Sequence, residues 1–145
     1  MKAFDVMTTE IQKAQPTLLL VDDDDFSLDL AQITLGKLGF TQVQTAHDGW
    51  EGLRVLDDMP QPPDFLICDI FMPNQDGIEF LAELAKRNYR GGIVLVSGGD
   101  SQMLSIACRI ASVSGLNVLG ALTKPLQQDE LEQVLCCRVL GGEID

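Results

Sequence analysis

Short apolar runs alternate along the chain with longer segments in which apolar residues recur at helical spacing. Most of these runs are buried-strand patterns, because they are too short for a helix and are bounded by polar residues or glycine. The first, third and fourth runs are almost continuously apolar, as strands buried on both faces are. The runs predict five strands, at residues 17–21, 42–46, 65–68, 93–96 and 118–122.

The segments between the strands predict five helices. In the first, Leu28, Ala31, Leu35 and Leu38 form an apolar stripe, and Gly39 is placed to end the helix in a left-handed conformation. Further stripes lie within residues 50–56, 78–85, 103–113 and 131–138. Parallel strands need crossover helices, so this (βα)5 order predicts an α/β domain: a doubly wound parallel sheet with helices on both faces.

The composition fits one folded domain. The chain has 145 residues, of which 46% are hydrophobic and 22% charged, so it can form one core and has little room for a second. We expect a single domain over residues 17–140. A leader of uncertain order at 1–16 precedes it, and a tail or the start of a linker follows at 141–145.

Charge and hydropathy exclude several classes of partner. Ten Lys and Arg residues against 22 Asp and Glu residues give a net charge of −12, which repels nucleic acid phosphates. No apolar run approaches the roughly 18 residues of a membrane span, and the N-terminus does not resemble a secretory signal. We therefore expect a cytoplasmic protein without a nucleic acid or membrane partner. Its cysteines lack the spacing of zinc sites and are expected to be reduced: Cys68, Cys108, Cys136 and Cys137.

Polar residues that can carry chemistry stand where the predicted strands end. Asp22 and Asp23 follow the first strand, and Asp69 follows the third. The carboxyl ends of parallel strands share one edge of the sheet, where ligands of such folds bind. Close carboxylates repel one another unless a cation neutralises them, and Mg2+ prefers oxygen ligands. The sequence therefore predicts a magnesium-type site at this edge.

Two further residues complete this edge. Ser97 ends the fourth strand with a hydroxyl, and Lys124 follows the fifth strand with a positive charge and three hydrogen-bond donors. A metal ion, a lysine and a hydroxyl around one carboxylate suit the stabilisation of a phosphoryl group during transfer. Because an aspartyl phosphate is a known covalent intermediate, the chemistry predicts reversible phosphorylation of Asp69.

The motifs around these residues resemble those of response-regulator receiver domains. They are Leu-Val-Asp-Asp at 20–23, Cys-Asp-Ile-Phe-Met-Pro-Asn-Gln-Asp-Gly at 68–77, Val-Ser-Gly at 96–98 and Thr-Lys-Pro at 123–125. The resemblance covers residues 17–140 and implies a flavodoxin-like sheet of five strands in the order 2-1-3-4-5. It also implies a phosphoacceptor of two-component signalling rather than an enzyme, with a histidine kinase or phosphotransfer protein as phosphodonor. Receivers often form homodimers when phosphorylated, so dimerisation is a further expectation.

The resemblance assigns a role to each residue of the edge. It implies that Asp69 is the phosphoacceptor, and that Ser97 and Lys124 contact the phosphoryl group. The implied ligands of Mg2+ are Asp22, Asp23, Asp69 and the backbone carbonyl of Phe71.

Two features depart from the usual receiver pattern. Ala121 stands three residues before Lys124, where receivers usually carry Tyr or Phe as a switch side chain. We therefore expect the signal to move the backbone after Ser97 and the fourth helix instead. The long segment before Lys124 contains Ser-Gly-Leu-Asn-Val-Leu-Gly at 114–120 and resembles receivers fused to EAL-type cyclic-di-GMP phosphodiesterase domains. A fused EAL-type output domain beyond residue 145 is thus a further expectation.

Three other functions fit parts of the pattern. An unphosphorylated pseudo-receiver would have the same fold and act only as an interaction module. A haloacid-dehalogenase-type phosphatase would use Asp22 as its nucleophile, with Asp24, but its further acidic pair could only be Asp129 and Glu130 in the last helix. A flavodoxin-like flavin binder would need a Gly- and Thr-rich loop after the first strand, which the sequence lacks.

Several residues near the edge are expected to be structural. Asp24 and Asp25 are interpreted as solvated or capping residues, with Asp25 or Ser27 capping the first helix. His47 is expected at the surface or in a helix cap, and Trp50 is expected to pack against the domain rather than to bind a ligand.

Overall fold

The computed structural model describes residues 15–72, 77–99 and 101–135. Most of the predicted leader (1–14), the end of the last predicted helix and the predicted tail (141–145) lie outside the described residues, as do Cys136 and Cys137. Within the described ranges, no helix is both long and apolar enough to cross a membrane.

Strands and helices alternate along the described chain, as the sequence pattern predicts. They are β1 (Thr17–Val21), α1 (Asp25–Lys37), β2 (Gln42–Ala46), α2 (Gly49–Asp58), β3 (Phe65–Asp69), α3 (Gly77–Lys86), β4 (Gly92–Ser97), α4 (Ser101–Val113) and β5 (Asn117–Thr123). Residues 128–135 are also helical and form the described part of α5. β3 and β4 extend one residue further than predicted at their carboxyl ends, so Asp69 and Ser97 are the last residues of their strands.

All five strands lie parallel in one sheet, in the order β2-β1-β3-β4-β5. This is the doubly wound, flavodoxin-like order, and the predicted fold class is confirmed. In the register of the sheet, Asp69 of β3 lies opposite Val96 of β4, and the next residue, Ser97, lies opposite Thr123 of β5. The ends of these three strands are therefore level, and the residues there meet at one edge.

The two faces of the sheet carry separate apolar cores. Alternate residues of β1 point to opposite faces, so Leu18 and Leu20 belong to one core and Leu19 and Val21 to the other. Residues of α1 and α5 cover the first core, and residues of α2, α3 and α4 cover the second. The central strands β1, β3 and β4 are buried on both faces, which explains their almost continuous apolar sequences.

The structure contradicts two expectations of packing, that of Trp50 and that of Val113, the last residue of the stripe predicted within 103–113. Trp50 is 53% exposed, and the residues of α2 near it that face the core are Gly49 and Gly52. A Cβ on Gly52 would lie 3.1 Å from Val21 Cγ2, so this face of α2 has no room for an indole. Val113, at the end of α4, is also exposed. Ala107 of the predicted stripe is buried, and Leu104 and Ala111 are buried with it.

Asp24 caps α1, in place of the predicted Asp25 or Ser27. Its backbone is extended (φ −101°, ψ 115°), and its Oδ2 accepts hydrogen bonds from Ser27 N (3.2 Å) and Ser27 Oγ (2.8 Å). At the other end of α1, Gly39 has a φ of +98°, the left-handed conformation predicted for it. The cap fixes the start of α1 at Asp25, so Asp22 and Asp23 stay in the loop before the helix.

Candidate functional site

Asp69 lies at the end of the central strand β3 and is only 5% exposed. Its Oδ1 accepts a hydrogen bond from Phe71 N (2.9 Å), and its Oδ2 lies 2.9 Å from Lys124 Nζ. The backbone beyond Asp69 stays attached to β4, because Ile70 N donates to Val96 O (3.0 Å). The carboxylate is therefore held in one orientation at the edge of the sheet.

Lys124 reaches the same point from the edge strand β5. Its backbone N donates to Ser97 O (2.9 Å), which continues the pairing of β5 with β4, and its peptide bond to Pro125 is cis. Its Nζ lies 2.8 Å from Asp22 Oδ2 and 2.9 Å from Asp69 Oδ2. One ammonium group is thus shared by two carboxylates from different strands.

Asp22 and Asp23 follow β1 directly and form an acidic cluster with Asp69. Asp22 N donates to Ala46 O (3.1 Å), and Asp22 Oδ1 accepts a hydrogen bond from Asp24 N (2.9 Å). Each carboxylate of the cluster offers one oxygen, and these oxygens lie within 4.8 Å of one another. Three carboxylates, two of which share a lysine, fit a divalent cation that prefers oxygen ligands.

Ser97 and Phe71 lie at the same edge of the sheet. Ser97 is fully buried, and its Oγ accepts a hydrogen bond from Gly99 N (3.3 Å). Phe71 contributes its N–H to Asp69 and exposes its side chain. All the predicted site residues thus belong to one edge, while the contact of Ser97 with a phosphoryl group and the Phe71 carbonyl as a ligand stay predictions.

Burial and charge shift the ionisation of three groups at this edge. Burial raises the pKa of Asp69, although its bonds to Lys124 and Phe71 oppose the shift. Burial would lower the pKa of Lys124, but its ion pairs with Asp22 and Asp69 outweigh burial and raise it. Burial, together with the charges of Asp69 and Asp22, raises the pKa of the Cys68 thiol. Cys68 is a buried free cysteine, and the raised pKa disfavours its thiolate, the form that reacts.

A groove of about 320 Å3 runs beside the site, between α1 and the segment after Lys124. Its charged residues are Asp22, Asp69 and Lys124, and its apolar residues include Phe26, Leu30, Pro125 and Leu126. Phe26, Leu30 and Ile33 are 68%, 44% and 57% exposed and form one stripe along the outside of α1, called the α1 stripe below. Exposed apolar residues that adjoin one another are typical of a contact surface.

One group at this edge was missed from the sequence. The ring of His47, expected only at the surface or in a cap, lies 2.9 Å from Asp25 Oδ1 through Nε2 and 3.1 Å from Glu51 Oε1 through Nδ1. The sequence held a signal for half of this arrangement, because Asp48 followed three residues later by Glu51 resembles a capping box. Asp25 belongs to another helix, and no local pattern links it to His47.

The sequence of this chain is similar to those of known proteins. The family model described as response regulator receiver domain matches residues 18–136. A probable chemotaxis protein CheY from Rhizobium etli is 32% identical over 121 residues, covering 81% of this chain and 88% of that protein. The transcriptional regulatory protein GlrR of Escherichia coli is 36% identical over 118 residues, covering 81% of this chain and 25% of that protein. The chain spans a quarter to a half of the length of the first curated relatives it matches.

A solved structure agrees in fold. The crystal structure of a response regulator from Colwellia psychrerythraea has a TM-score of 0.71 and is 28% identical, covering 90% of this chain and 99% of that one. The sheet order, the acidic edge and the family match thus all fit the same family. The chain belongs to the response regulator receiver domain family and is a receiver domain of two-component signalling.

Proposed function

We propose that the protein is a phosphorylation switch in which Asp69 accepts a phosphoryl group. The observation that most supports this is the surroundings of Asp69, a buried carboxylate that shares Lys124 with Asp22 and lies in an acidic cluster with Asp23. Stability alone would favour one carboxylate beside one lysine, because additional carboxylates repel each other. The excess negative charge is explained if a divalent cation binds there, because the cation would offset the carboxylates and could then also bind the oxygens of a phosphoryl group.

In the proposed step, one oxygen of Asp69 attacks the phosphorus of a phosphohistidine on a histidine kinase or phosphotransfer protein. A P–O bond to Asp69 forms, the P–N bond breaks, and the leaving imidazole takes up a proton. In hydrolysis, water attacks the phosphorus, the P–O bond to Asp69 breaks, and inorganic phosphate leaves. The protein would act only on itself, as a phosphoacceptor rather than an enzyme. Repeated turnover of an aryl phosphate would contradict this and favour the phosphatase alternative.

Different residues at the edge are proposed to bind Mg2+ and the phosphoryl group. The proposed ligands of Mg2+ are Asp22, Asp23, Asp69 and the backbone carbonyl of Phe71. When bound, Mg2+ would offset the repulsion between these carboxylates and the phosphoryl oxygens. Lys124, whose Nζ lies 2.9 Å from Asp69 Oδ2, is proposed to neutralise one phosphoryl oxygen. Ser97 is proposed to donate a hydrogen bond to another.

The intact mass of the protein after treatment with acetyl phosphate and Mg2+ tests the proposal. We expect wild type to gain one phosphoryl group and Asp69→Asn to gain none. Asp58→Asn is a matched control, because Asp58 is an exposed carboxylate at the end of α2, and it should gain one group. A wild type that binds Mg2+ but accepts no phosphoryl group from acetyl phosphate or from a phosphorylated kinase would favour the pseudo-receiver alternative.

The phosphodonor protein is proposed to bind the α1 stripe. The donor must bring its phosphohistidine to Asp69, and the groove joins the residues around Asp69 to Phe26 and Leu30 of the stripe. The stripe is apolar and exposed, so an apolar face of the donor can cover it and gain from burial. Contact there would place the donor beside the site without blocking it.

The output is proposed to be a change in protein contacts at α4, β5 and α5. Ala121 of β5 is exposed and has no aromatic ring to reorient, so the backbone after Ser97 and α4 are proposed to carry the signal. Spectra of this segment that do not change on phosphorylation would contradict that route. Dimerisation on phosphorylation and a cytoplasmic location are part of the same proposal.

The domain that receives the signal is a separate question. The fused EAL-type output domain stays a prediction that draws no support from the relatives reported above, one of which is a transcriptional regulatory protein. In a regulator of that kind, we propose that any DNA contact belongs to another domain, because the net charge of −12 on this chain repels phosphates.

A further inference from the structure

One side chain outside the proposed metal site joins two helices that begin at the acidic edge. The ring of His47 lies 2.9 Å from Asp25 Oδ1 through Nε2 and 3.1 Å from Glu51 Oε1 through Nδ1. Asp25 is the first residue of α1, and Glu51 is in the first turn of α2. The ring therefore bridges the N-terminal ends of α1 and α2.

Glu51 is the fixed end of this bridge. Asp48 caps α2 and accepts a hydrogen bond from Glu51 N (2.8 Å), and Glu51 Oε1 in turn accepts one from His47 N. The arrangement resembles a capping box, except that Glu51 accepts from the N–H of the residue before the cap and not from that of the cap itself. The same carboxylate thus holds both the backbone and the ring of His47, so the ring points in one direction.

Asp25 is the end of the bridge that leads to the acidic cluster. It begins α1 two residues after Asp23, a proposed ligand that lies in the loop between β1 and α1. The backbone of this loop is tied to the end of β2 as well, because Asp22 N donates to Ala46 O (3.1 Å), directly before His47. The loop that carries the first two carboxylates is therefore held by β2 at one point and by the ring at another.

Both ring nitrogens of His47 face a carboxylate, and only the doubly protonated imidazolium donates a hydrogen bond at both. The groups that face the ring are Asp25 from α1 and Glu51 from α2, with Asp48 next to Glu51. The hydrogen bond to Glu51, with the one to Asp25, raises the pKa of His47. The bridge is complete below this pKa and loses one of its two hydrogen bonds above it.

We propose that His47 is a positioning residue for Mg2+, whose ring holds the loop with Asp22 and Asp23 in the arrangement that the ion needs. This inference rests on the proposed metal site. Affinity for Mg2+ then falls when the bridge is broken by mutation or by a rise in pH. The side chains of His47 and Asp25 are 56% and 83% exposed. Exposed ion pairs contribute little energy, so the expected change in Kd is about two- to fivefold.

Two substitutions with opposite effects on charge test the positioning role. His47→Ala removes a positive charge and Asp25→Ala removes a negative one, and each breaks the bridge. At high salt, where distant charges are screened, we expect both to weaken Mg2+ binding about two- to fivefold in calorimetric titration. A purely electrostatic role would instead tighten binding in His47→Ala and weaken it in Asp25→Ala. Asp29→Ala is the control, because it removes an exposed carboxylate from the same helix, and it should bind as wild type does.

The pH profile provides a second readout, with the ionisation of His47 followed by NMR. Wild type should bind Mg2+ more weakly as pH rises through the pKa of His47, and both bridge variants should lose this step. Opposite shifts in the two variants, or a Kd equal to that of wild type in both, would overturn the role of His47 alone. A wild type that binds no Mg2+ would overturn the proposed metal site together with it. Circular dichroism verifies that each variant is folded.

Discussion

The two ends of the sheet use a shared cation in different ways. At the amino-terminal end, Arg87 pairs with Asp57 of α2 and with Glu83 of α3. At the carboxyl-terminal end, Lys124 also pairs with two carboxylates, and Asp23 adds a third that belongs to the same cluster. The first arrangement links two helices, whereas the second gathers surplus negative charge at one point.

Burial makes these two arrangements opposite in their effect on stability. The hydrogen bond from Arg87 lowers the pKa of the exposed Asp57 carboxyl, so the folded state favours its charged form. Burial raises the pKa of Asp69 despite Lys124, so the folded state disfavours its charge. A cation beside carboxylates thus favours their charged form at the surface, but at the carboxyl-terminal end it does not offset the burial of Asp69, which fits the binding role proposed for that end.

Replacing each cation is the strongest test of this comparison. Lys124→Ala should slow the phosphorylation of Asp69 by acetyl phosphate at least about 100-fold, because loss of one charge-stabilising group has an effect of that size. Arg87→Ala should leave the rate unchanged, although it too removes a cation with two carboxylate partners. Initial rates of mass gain measure both. An equal loss of rate in both variants would show that the two ends do not differ in this way.

Crowded glycines at the two ends give the next largest effects. A Cβ on Gly77 would lie 2.5 Å from Ile70 Cα, and one on Gly91 would lie 2.7 Å from Pro63 O. Each substitution by alanine should lower the free energy of unfolding by about 1–3 kcal/mol, measured by chemical denaturation. Gly77→Ala should also slow phosphorylation, because Ile70 directly follows Asp69, the proposed phosphoacceptor. Slower phosphorylation of a folded Gly91→Ala variant would contradict the view that only the carboxyl-terminal end affects phosphorylation.

Two exposed phenylalanines at the carboxyl-terminal end are expected to affect different steps, the loss of the phosphoryl group and its transfer from the donor protein. Phe71 lies two residues after Asp69 and exposes a bulky apolar ring that can keep water from the phosphoryl group. Phe71→Asn should therefore shorten the lifetime of the phosphoryl group several-fold, seen as loss of added mass over time. Phe26→Asn should leave that lifetime unchanged and slow transfer from a phosphorylated donor protein. Identical decay in wild type and Phe71→Asn would remove the role of the ring.

The smallest expected effect concerns stability as a function of pH. Variants at the two ends should change the stability at neutral pH in opposite directions. The raised folded pKa of Asp69 means that its charged form disfavours folding. Without Mg2+, Asp69→Asn should be more stable than wild type at neutral pH, and the difference should shrink as pH falls through that folded pKa.

The amino-terminal end should behave in the opposite way. The folded pKa values of Asp57 and Glu83 are lowered, in each case chiefly by a hydrogen bond from Arg87. The stability that these two carboxylates contribute is present above their pKa values in the unfolded state. It is lost as pH falls through their pKa values in the folded state. Arg87→Ala should therefore be less stable than wild type at neutral pH and approach it in acid. Denaturation at a series of pH values measures both variants, and a shared sign would contradict the comparison.

The strand ends could be predicted from the sequence, because a buried central strand remains apolar until it leaves the core. This is why Asp22 and Asp69 could be assigned to one edge, and why the order of strands and helices could be predicted. The conformation of Gly39 was also predictable, since it depends on its position after the helix. These are local properties, which a short stretch of sequence contains.

Other features depend on elements that are distant in the chain. Trp50 is exposed because Gly52 of the same helix lies against Val21 of β1, and no periodicity within α2 reveals that approach. His47 meets Asp25 only because α1 and α2 begin side by side. The choice of Asp24 as the cap rests on backbone dihedral angles within a run of four aspartates, and a sequence places such boundaries only to within a residue or two.

The order of the strands also determines when the site can exist. Asp22 and Lys124 approach to 2.8 Å, although one follows the first strand of the chain and the other follows the last. During synthesis, every carboxylate of the cluster leaves the ribosome well before Lys124 does. A nascent chain therefore cannot assemble the site until β5 has been made and has paired with β4. A chain that ends before β5 would therefore have the carboxylates of the cluster without the lysine that Asp22 and Asp69 share.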